Sequence, residues 1–238
     1  RKHLLEYDDV MNSQRNVIYT KRKNALFGER LDVDLNNTIY DVVEDVVFTA
    51  KEGSSYEEFQ IEVIRLFSID PAITAEDFAS KKSEVLADTL FDQVITHYNN
   101  KAKNIAAQTL PVLTNVLAER GEMVENIVVP FTDGIRGIQV STNLSKAVES
   151  KGTDVFRSFE KGVVLALIDE SWKEHLREMD DLKQSVQNAS YEQKDPLLIY
   201  KFESFNLFKG VLEKISRDVI SILVRAQIPF RQSEEGRT

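Results

Sequence analysis

Residues 161–227 read KGVVLALIDESWKEHLREMDDLKQSVQNASYEQKDPLLIYKFESFNLFKGVLEKISRDVISILVRAQ, and their spacing decides the fold. Leu165, Ile168, Trp172, His175, Met179, Leu182 and Val186 follow one another in steps of three and four, a heptad seam on one helix. A polar stretch from Gln187 to Lys194 follows, and then Asp195-Pro196, an N-cap carboxylate before a proline at the first helical position. A second seam runs Phe205, Phe208, Leu212, Ile215, Val219, Ile222. Two seams of matched length across a short polar join predict an antiparallel helical hairpin. At ~1.5 Å per residue its arms reach roughly 35–45 Å. Periodicity alone admits two readings: a protruding lever with its tip at Tyr191, or an ordinary hairpin in a bundle core. Tyr191 likewise either folds back as a cap or stands out as a contact. His175, on the seam beside Glu174, reads as packed or hydrogen-bonded rather than catalytic.

Outward from this segment the pattern stays helical. Leu4, Tyr7, Met11, Gln14 and Ile18 share one helical face, which fades into Leu26-Phe27-Gly28. Leu35, Ile39, Val42, Val43, Val46 and Val47 form a second face that ends near Gly53-Ser54-Ser55. Shorter helices are expected over 56–67 and 75–79, parted by a turn at Asp70-Pro71. A longer helix begins at Leu86 and reaches toward Leu117, with Pro111 as a kink or break. Only between Asn126 and Leu144 does the period change: Ile127–Phe131, a Thr132-Asp133-Gly134 turn and alternation over Ile135–Val140 predict a β-hairpin. Pro130 makes its strand an edge. The fold class is therefore mainly α with one small hairpin.

Composition narrows the function. Gly and Pro together make 14 of 238 residues, about half the usual share, which favours long uninterrupted elements. The chain has no cysteine, so disulfides, thiol catalysis and thiolate metal sites are excluded, and a cytosolic compartment is the expectation. The net charge is −9, and residues 31–99 alone hold 15 acidic against 4 basic side chains, which disfavours nucleic acid. No apolar run approaches the ~18 residues of a membrane span. No phosphate-binding glycine loop, no Gly-x-Gly-x-x-Gly, no Gly-x-Ser-x-Gly and no His-Glu-x-x-His is present. Asp8-Asp9 and Asp180-Asp181 are sequence neighbours that point to different sides of a helix, and read as solvated charges or local ion pairs. The expectation is no catalytic residue and no metal ligand. The chain opens Arg1-Lys2-His3 without an initiator Met, which reads as a fragment.

Two blocks resemble a known family. Residues 1–15, RKHLLEYDDVMNSQR, are similar to the SecA family of bacterial preprotein translocase motors, where the second nucleotide-binding domain hands over to the helical scaffold. Trp172-Lys173-Glu174-His175-Leu176, Met179-Asp180, Leu182, Tyr191, Gln193-Lys194-Asp195-Pro196, Tyr200-Lys201, Glu203-Ser204-Phe205 and Phe208 resemble that family's two-helix finger. The resemblance implies four segments: 1–52, the end of the nucleotide domain and the scaffold helix; 53–158, a helical wing with a β-hairpin near 126–141; 159–228, the two-helix finger; and 229–238, a disordered tail.

The same resemblance implies a non-catalytic piece of an ATP-driven motor, inactive alone, with ATP and Mg held by the parent's missing domains. Its implied partners are a SecY-type channel, an unfolded preprotein, those nucleotide domains and an anionic membrane surface, and a dimeric parent is possible. The implied location is cytoplasmic, peripheral on the inner face of the inner membrane. Tyr191 with Ser190, Glu192, Gln193 and Lys194 would form the contacting finger tip, while Trp172, His175, Met179, Leu182, Phe205 and Phe208 would hold the lever rigid. An aromatic tip suits sequence-blind gripping, since it offers a large apolar face with few rotamers to freeze. Ala189-Ser190 replaces an Arg-Gly pair frequent in the family, and Ile199 a Glu, so polar tip contacts through that Arg are not carried over. The hairpin region 124–145 looks like an insertion beyond the family's compact wing. Two other classes stand beside this reading. One is an acidic helical adaptor that binds a partner helix without ATP coupling, betrayed by affinity for isolated peptides. The other is an enzyme holding a metal through carboxylates, betrayed by a thermal shift with divalent cations.

Overall fold

A computed structural model describes residues 2–27, 30–121, 123–188 and 195–229. Among them the order is α1 (Lys2–Phe27), α2 (Leu31–Gly53), α3 (Tyr56–Phe67), α4 (Ala75–Ser80), α5 (Ser83–Arg120), β1 (Asn126–Thr132), β2 (Gly137–Asn143), α6 (Leu144–Glu149), α7 (Thr153–Asn188) and α8 (Pro196–Arg225). The chain is mainly α with a small hairpin, as its periodicity predicts. No helix among the described residues is long and apolar enough to cross a membrane. Two compact units divide it: residues 1–38 with 164–219, and residues 39–163 with 220–238. These boundaries fall inside α2, α7 and α8.

In the first unit α7 and α8 run antiparallel. Glu174 of α7 stands opposite Lys214 of α8 at 3.4 Å, the His175 ring is 5.5 Å from that of Phe208, and Met179 and Val186 share a buried cluster with Tyr200. As α7 advances, its α8 partners recede in number. Helix α1 completes a three-helix packing: Tyr7, Val10 and Met11 lie on that cluster, and Tyr7 meets Tyr200 with ring centroids 4.6 Å apart. At its other end Arg22 grips Asp169 of α7 through two hydrogen bonds of 2.8 and 3.3 Å. This pair is exposed and holds α1 in register more than it stabilises.

The second unit is built on long apolar faces. Ile39, Val43 and Val47 of α2 are fully buried, as are Val63 and Phe67 of α3 and Leu90 and Val94 of α5. Ser55 starts α3 with a reciprocal capping box: its hydroxyl accepts from the Glu58 N–H while Glu58 accepts from its own. Helix α5 continues through Pro111, a position where the sequence allowed a break. Strands β1 and β2 pair antiparallel, Asn126 opposite Asn143 through Thr132 opposite Gly137. Val129, Phe131, Val140 and Thr142 are buried, and Phe131 stacks on Phe159 of α7 at 4.1 Å and 13°.

The turn of this hairpin differs from the expected one. It spans residues 133–136, because the Asp133 carboxylate accepts from the N–H groups of Ile135 (2.9 Å) and Arg136 (2.6 Å). Strand β2 therefore starts at Gly137, and Ile135 is turned out to solvent. Beyond α8, Gln227 exchanges two 2.8 Å backbone hydrogen bonds with Thr132 on the outer edge of β1. Two residues along, that same edge presents Pro130, which has no N–H to donate, so the edge placement read from proline holds.

Candidate functional site

The finger-tip residues expected from sequence, Ser190, Tyr191, Glu192, Gln193 and Lys194, lie outside the described residues. The arms that would carry them are described, and their seam is more polar at its centre than periodicity suggests. On α7, Ile168, His175, Met179 and Val186 are buried, while Leu165, Trp172 and Leu182 are half-buried. On α8, Phe208 is half-buried and Ile215 and Val219 are buried. Phe205, expected in the seam, is 64% exposed, and Ser204 beside it is 1% exposed. The seam of α8 turns by one residue here because α1 packs directly over Ser204. The Gln14 amide donates to the Ser204 carbonyl at 3.1 Å, and a large side chain at 204 would push α1 away.

At the centre of the unit sits His175, 0% exposed. Its Nε2 is 2.9 Å from Gln14 Oε1, and its ring lies between those of Trp172 and Phe208, each 5.5 Å away. Because the Gln14 amide nitrogen is committed to Ser204, its oxygen faces the imidazole, and Nε2 carries the proton. Burial holds the His175 pKa below its ordinary value, so the ring is neutral at pH 7. A neutral imidazole with one nitrogen tied to the Gln14 amide and its ring against Trp172 and Phe208 joins three helices. Gln14 is the residue that sequence reading placed on a helix face without a role; its partners stand 190 and 161 residues away.

Two tyrosines of this unit, Tyr7 and Tyr200, are also perturbed. Tyr200, 1% exposed, has its pKa pushed up to about 12 by burial first and then by Asp180, Tyr7 and Asp8. It stays protonated throughout the physiological range and works as an aromatic anchor between α1, α7 and α8. In the second unit Lys101 is lowered to about 8 by burial, and its Nζ donates to the Val224 carbonyl in the last turn of α8, a favourable end for a cation. Tyr98 donates to the buried Glu160 carboxylate. Among the described residues no group of three or more His, Asp or Glu side chains is placed to hold a metal.

A family model described as SecA wing and scaffold domain matches residues 1–227. The chain belongs to the SecA wing and scaffold family. Its relatives include the protein translocase subunit SecA of Porphyromonas gingivalis, 50% identical over 233 residues that make 98% of this chain and 21% of the relative. That of Cytophaga hutchinsonii is 48% identical over 229 residues, 96% of this chain and 20% of the relative. That of Parabacteroides distasonis is 47% identical over 239 residues, 100% of this chain and 21% of the relative. The chain thus spans about a fifth of the length of the curated relatives it matches. The β-hairpin lies inside the span that the wing and scaffold family model matches.

Proposed function

We propose that this chain is the wing and scaffold portion of an ATP-driven motor that pushes unfolded preproteins through a SecY-type channel. The observation that carries the proposal is the match of the SecA wing and scaffold domain to residues 1–227. The antiparallel arms of α7 and α8, locked to α1 through Gln14, His175 and Ser204, suit a lever that transmits force without bending. In this reading the scaffold, wing and finger divide the chain near 52 and 158, and Tyr191 with Ser190, Glu192, Gln193 and Lys194 contacts channel and substrate. ATP and Mg are bound by nucleotide domains of the longer protein, and the chain alone does not hydrolyse ATP. The parent works from the cytoplasm, on the anionic inner face of the membrane, and a dimer of it is compatible with this role.

The test is Tyr191→Ala in the longer protein, with preprotein transport into inverted membrane vesicles and ATP hydrolysis measured together. Transport is expected to fall severalfold while hydrolysis persists, because the tip grips and does not catalyse. Transport at the unaltered rate would refute the assignment of the tip.

A further inference from the structure

The outer edge of β1 is only partly covered. Thr132 exchanges its backbone hydrogen bonds with Gln227 there. Bonding direction alternates along a strand, so Pro130, Val128 and Asn126 turn their backbone groups to the same side as Thr132, while Phe131, Val129 and Ile127 face β2. Pro130 has no N–H to donate, and Val128 and Asn126 have no backbone partner on that side among the described residues. Such an edge is a template for a further strand.

Beside this edge, within the second unit, lies an apolar groove of about 440 Å³. Val112 and Leu113 of α5 line it together with Val128 and Val129 of β1, and so do Ile228 and Pro229. Val112 and Val128 are 63% and 60% exposed, which leaves the groove apolar surface to cover. Chain direction selects what covers it. Thr132 opposite Gln227 sets an antiparallel register that, continued, brings Ile228 opposite Phe131, Pro229 opposite Pro130, Phe230 opposite Val129 and Arg231 opposite Val128. The two prolines meet on one rung, where neither leaves an N–H of the other without an acceptor.

Side-chain alternation agrees with that register. Ile228 is half-buried between exposed Gln227 and exposed Pro229, so position 230 is the next to point inward, on the face of Val129 that lines the groove. Phe230 stands there. A foreign strand or a second copy has less to gain: Gln227 already holds Thr132 and Pro130 offers no donor, whereas a segment tethered at Pro229 pairs at high effective concentration. We infer that Phe230-Arg231-Gln232 of this chain adds to β1 as a third strand, with the Phe230 ring filling the groove between α5 and β1. The Val128 N–H then donates to the Arg231 carbonyl and the Val128 carbonyl accepts from the Arg231 N–H. The hairpin gains a strand where the family resemblance implies the start of a disordered tail.

The chain has no cysteine, so paired thiols report the register directly. Val128→Cys with Arg231→Cys puts both thiols on one face of adjacent strands, within disulfide reach, while Val128→Cys with Gln232→Cys puts them on opposite faces. Under mild oxidation the first pair should close severalfold faster than the second, and Phe230→Asp should abolish that preference. Equal rates for the two pairs, or a preference that survives Phe230→Asp, would overturn the inference. Hydrogen exchange needs no thiol. The Val128 N–H should exchange severalfold more slowly in the unsubstituted chain than in Phe230→Asp, while the Val129 N–H, which faces β2, keeps its protection in both. Equally fast exchange of Val128 in both would overturn the inference. Protection of Val128 that rises with chain concentration and survives Phe230→Asp would overturn it in favour of a second copy on this edge.

Discussion

Gln14 and His175 should behave as one unit under mutation. Gln14 is 6% exposed and makes hydrogen bonds of 2.9 and 3.1 Å. Gln14→Met keeps the length of the side chain and removes both, leaving the Nε2–H of a fully buried imidazole without an acceptor. Such an orphaned donor costs about 1–3 kcal/mol. His175→Phe keeps a ring between Trp172 and Phe208 and orphans the Gln14 oxygen instead, at a similar cost of about 1–3 kcal/mol. Changing both replaces the Gln14–His175 pair by an apolar one of like shape and leaves only the lost hydrogen bond to the Ser204 carbonyl uncompensated. The double variant should therefore be more stable than the sum of the singles by at least about 1 kcal/mol. Urea unfolding followed by Trp172 fluorescence is the assay, because this is the only tryptophan in the chain and it lies in the first unit. Single effects that add within ~0.5 kcal/mol would refute the coupling and with it the account of how α1 is joined to α7 and α8.

Other expectations follow from the same geometry. Gly152 has φ +85 and a Cβ there would lie 2.5 Å from the Ala106 carbonyl oxygen, so Gly152→Ala should cost well over the ~1–2 kcal/mol of the left-handed backbone alone, whereas Gly134→Ala, with φ +90 and open space, should cost only about that; urea denaturation compares them. Phe131→Ala should destabilise the second unit by ~3–5 kcal/mol, and Ile135→Ala, at an 86% exposed site, by less than ~0.5 kcal/mol in thermal unfolding. Burial places the folded pKa of His175 below its unfolded value near 6.5, so the unfolded chain takes the proton first: stability of the first unit is full above about pH 6.5 and declines as pH falls toward the folded value, and His175→Phe should flatten that decline. Lys101 titrates at about 8 folded against 10.5 unfolded, so its share of stability is present above pH 10.5 and is lost as pH falls to 8; Lys101→Met should remove that slope from the second unit's pH profile.

The parts of the molecule that local spacing controls were readable from sequence. The seam of α7 has a strict three-four spacing, and Ile168, His175, Met179 and Val186 on it are buried, with Leu167 and Ser171 buried beside it. On α8 the reading slipped at one point, where a small buried Ser204 precedes a large exposed Phe205. Residue size argued for Phe205, but the close approach of α1 across 190 residues of chain decided for Ser204. The β-hairpin was legible from its β-branched run and Asp-Gly, yet the turn length was set by one carboxylate gathering two N–H groups, a choice that spacing does not encode. Gln14 showed only a position on a helix face. Its role depends on two partners that sequence distance hides.

In the proposed function the α7–α8 hairpin is a lever whose tip touches the moving polypeptide. The chain has no cysteine of its own, so Tyr191→Cys in a longer protein otherwise free of cysteine gives a single thiol at the tip. A preprotein is stalled in the channel and cross-linking from that thiol is measured with and without ATP-driven engagement. The account predicts a cross-link to the channel mouth or to the translocating chain that disappears without engagement. Silence at position 191, with strong cross-links from thiols placed in the wing at Ile135 or Val128 instead, would contradict it and make the hairpin a packed structural element.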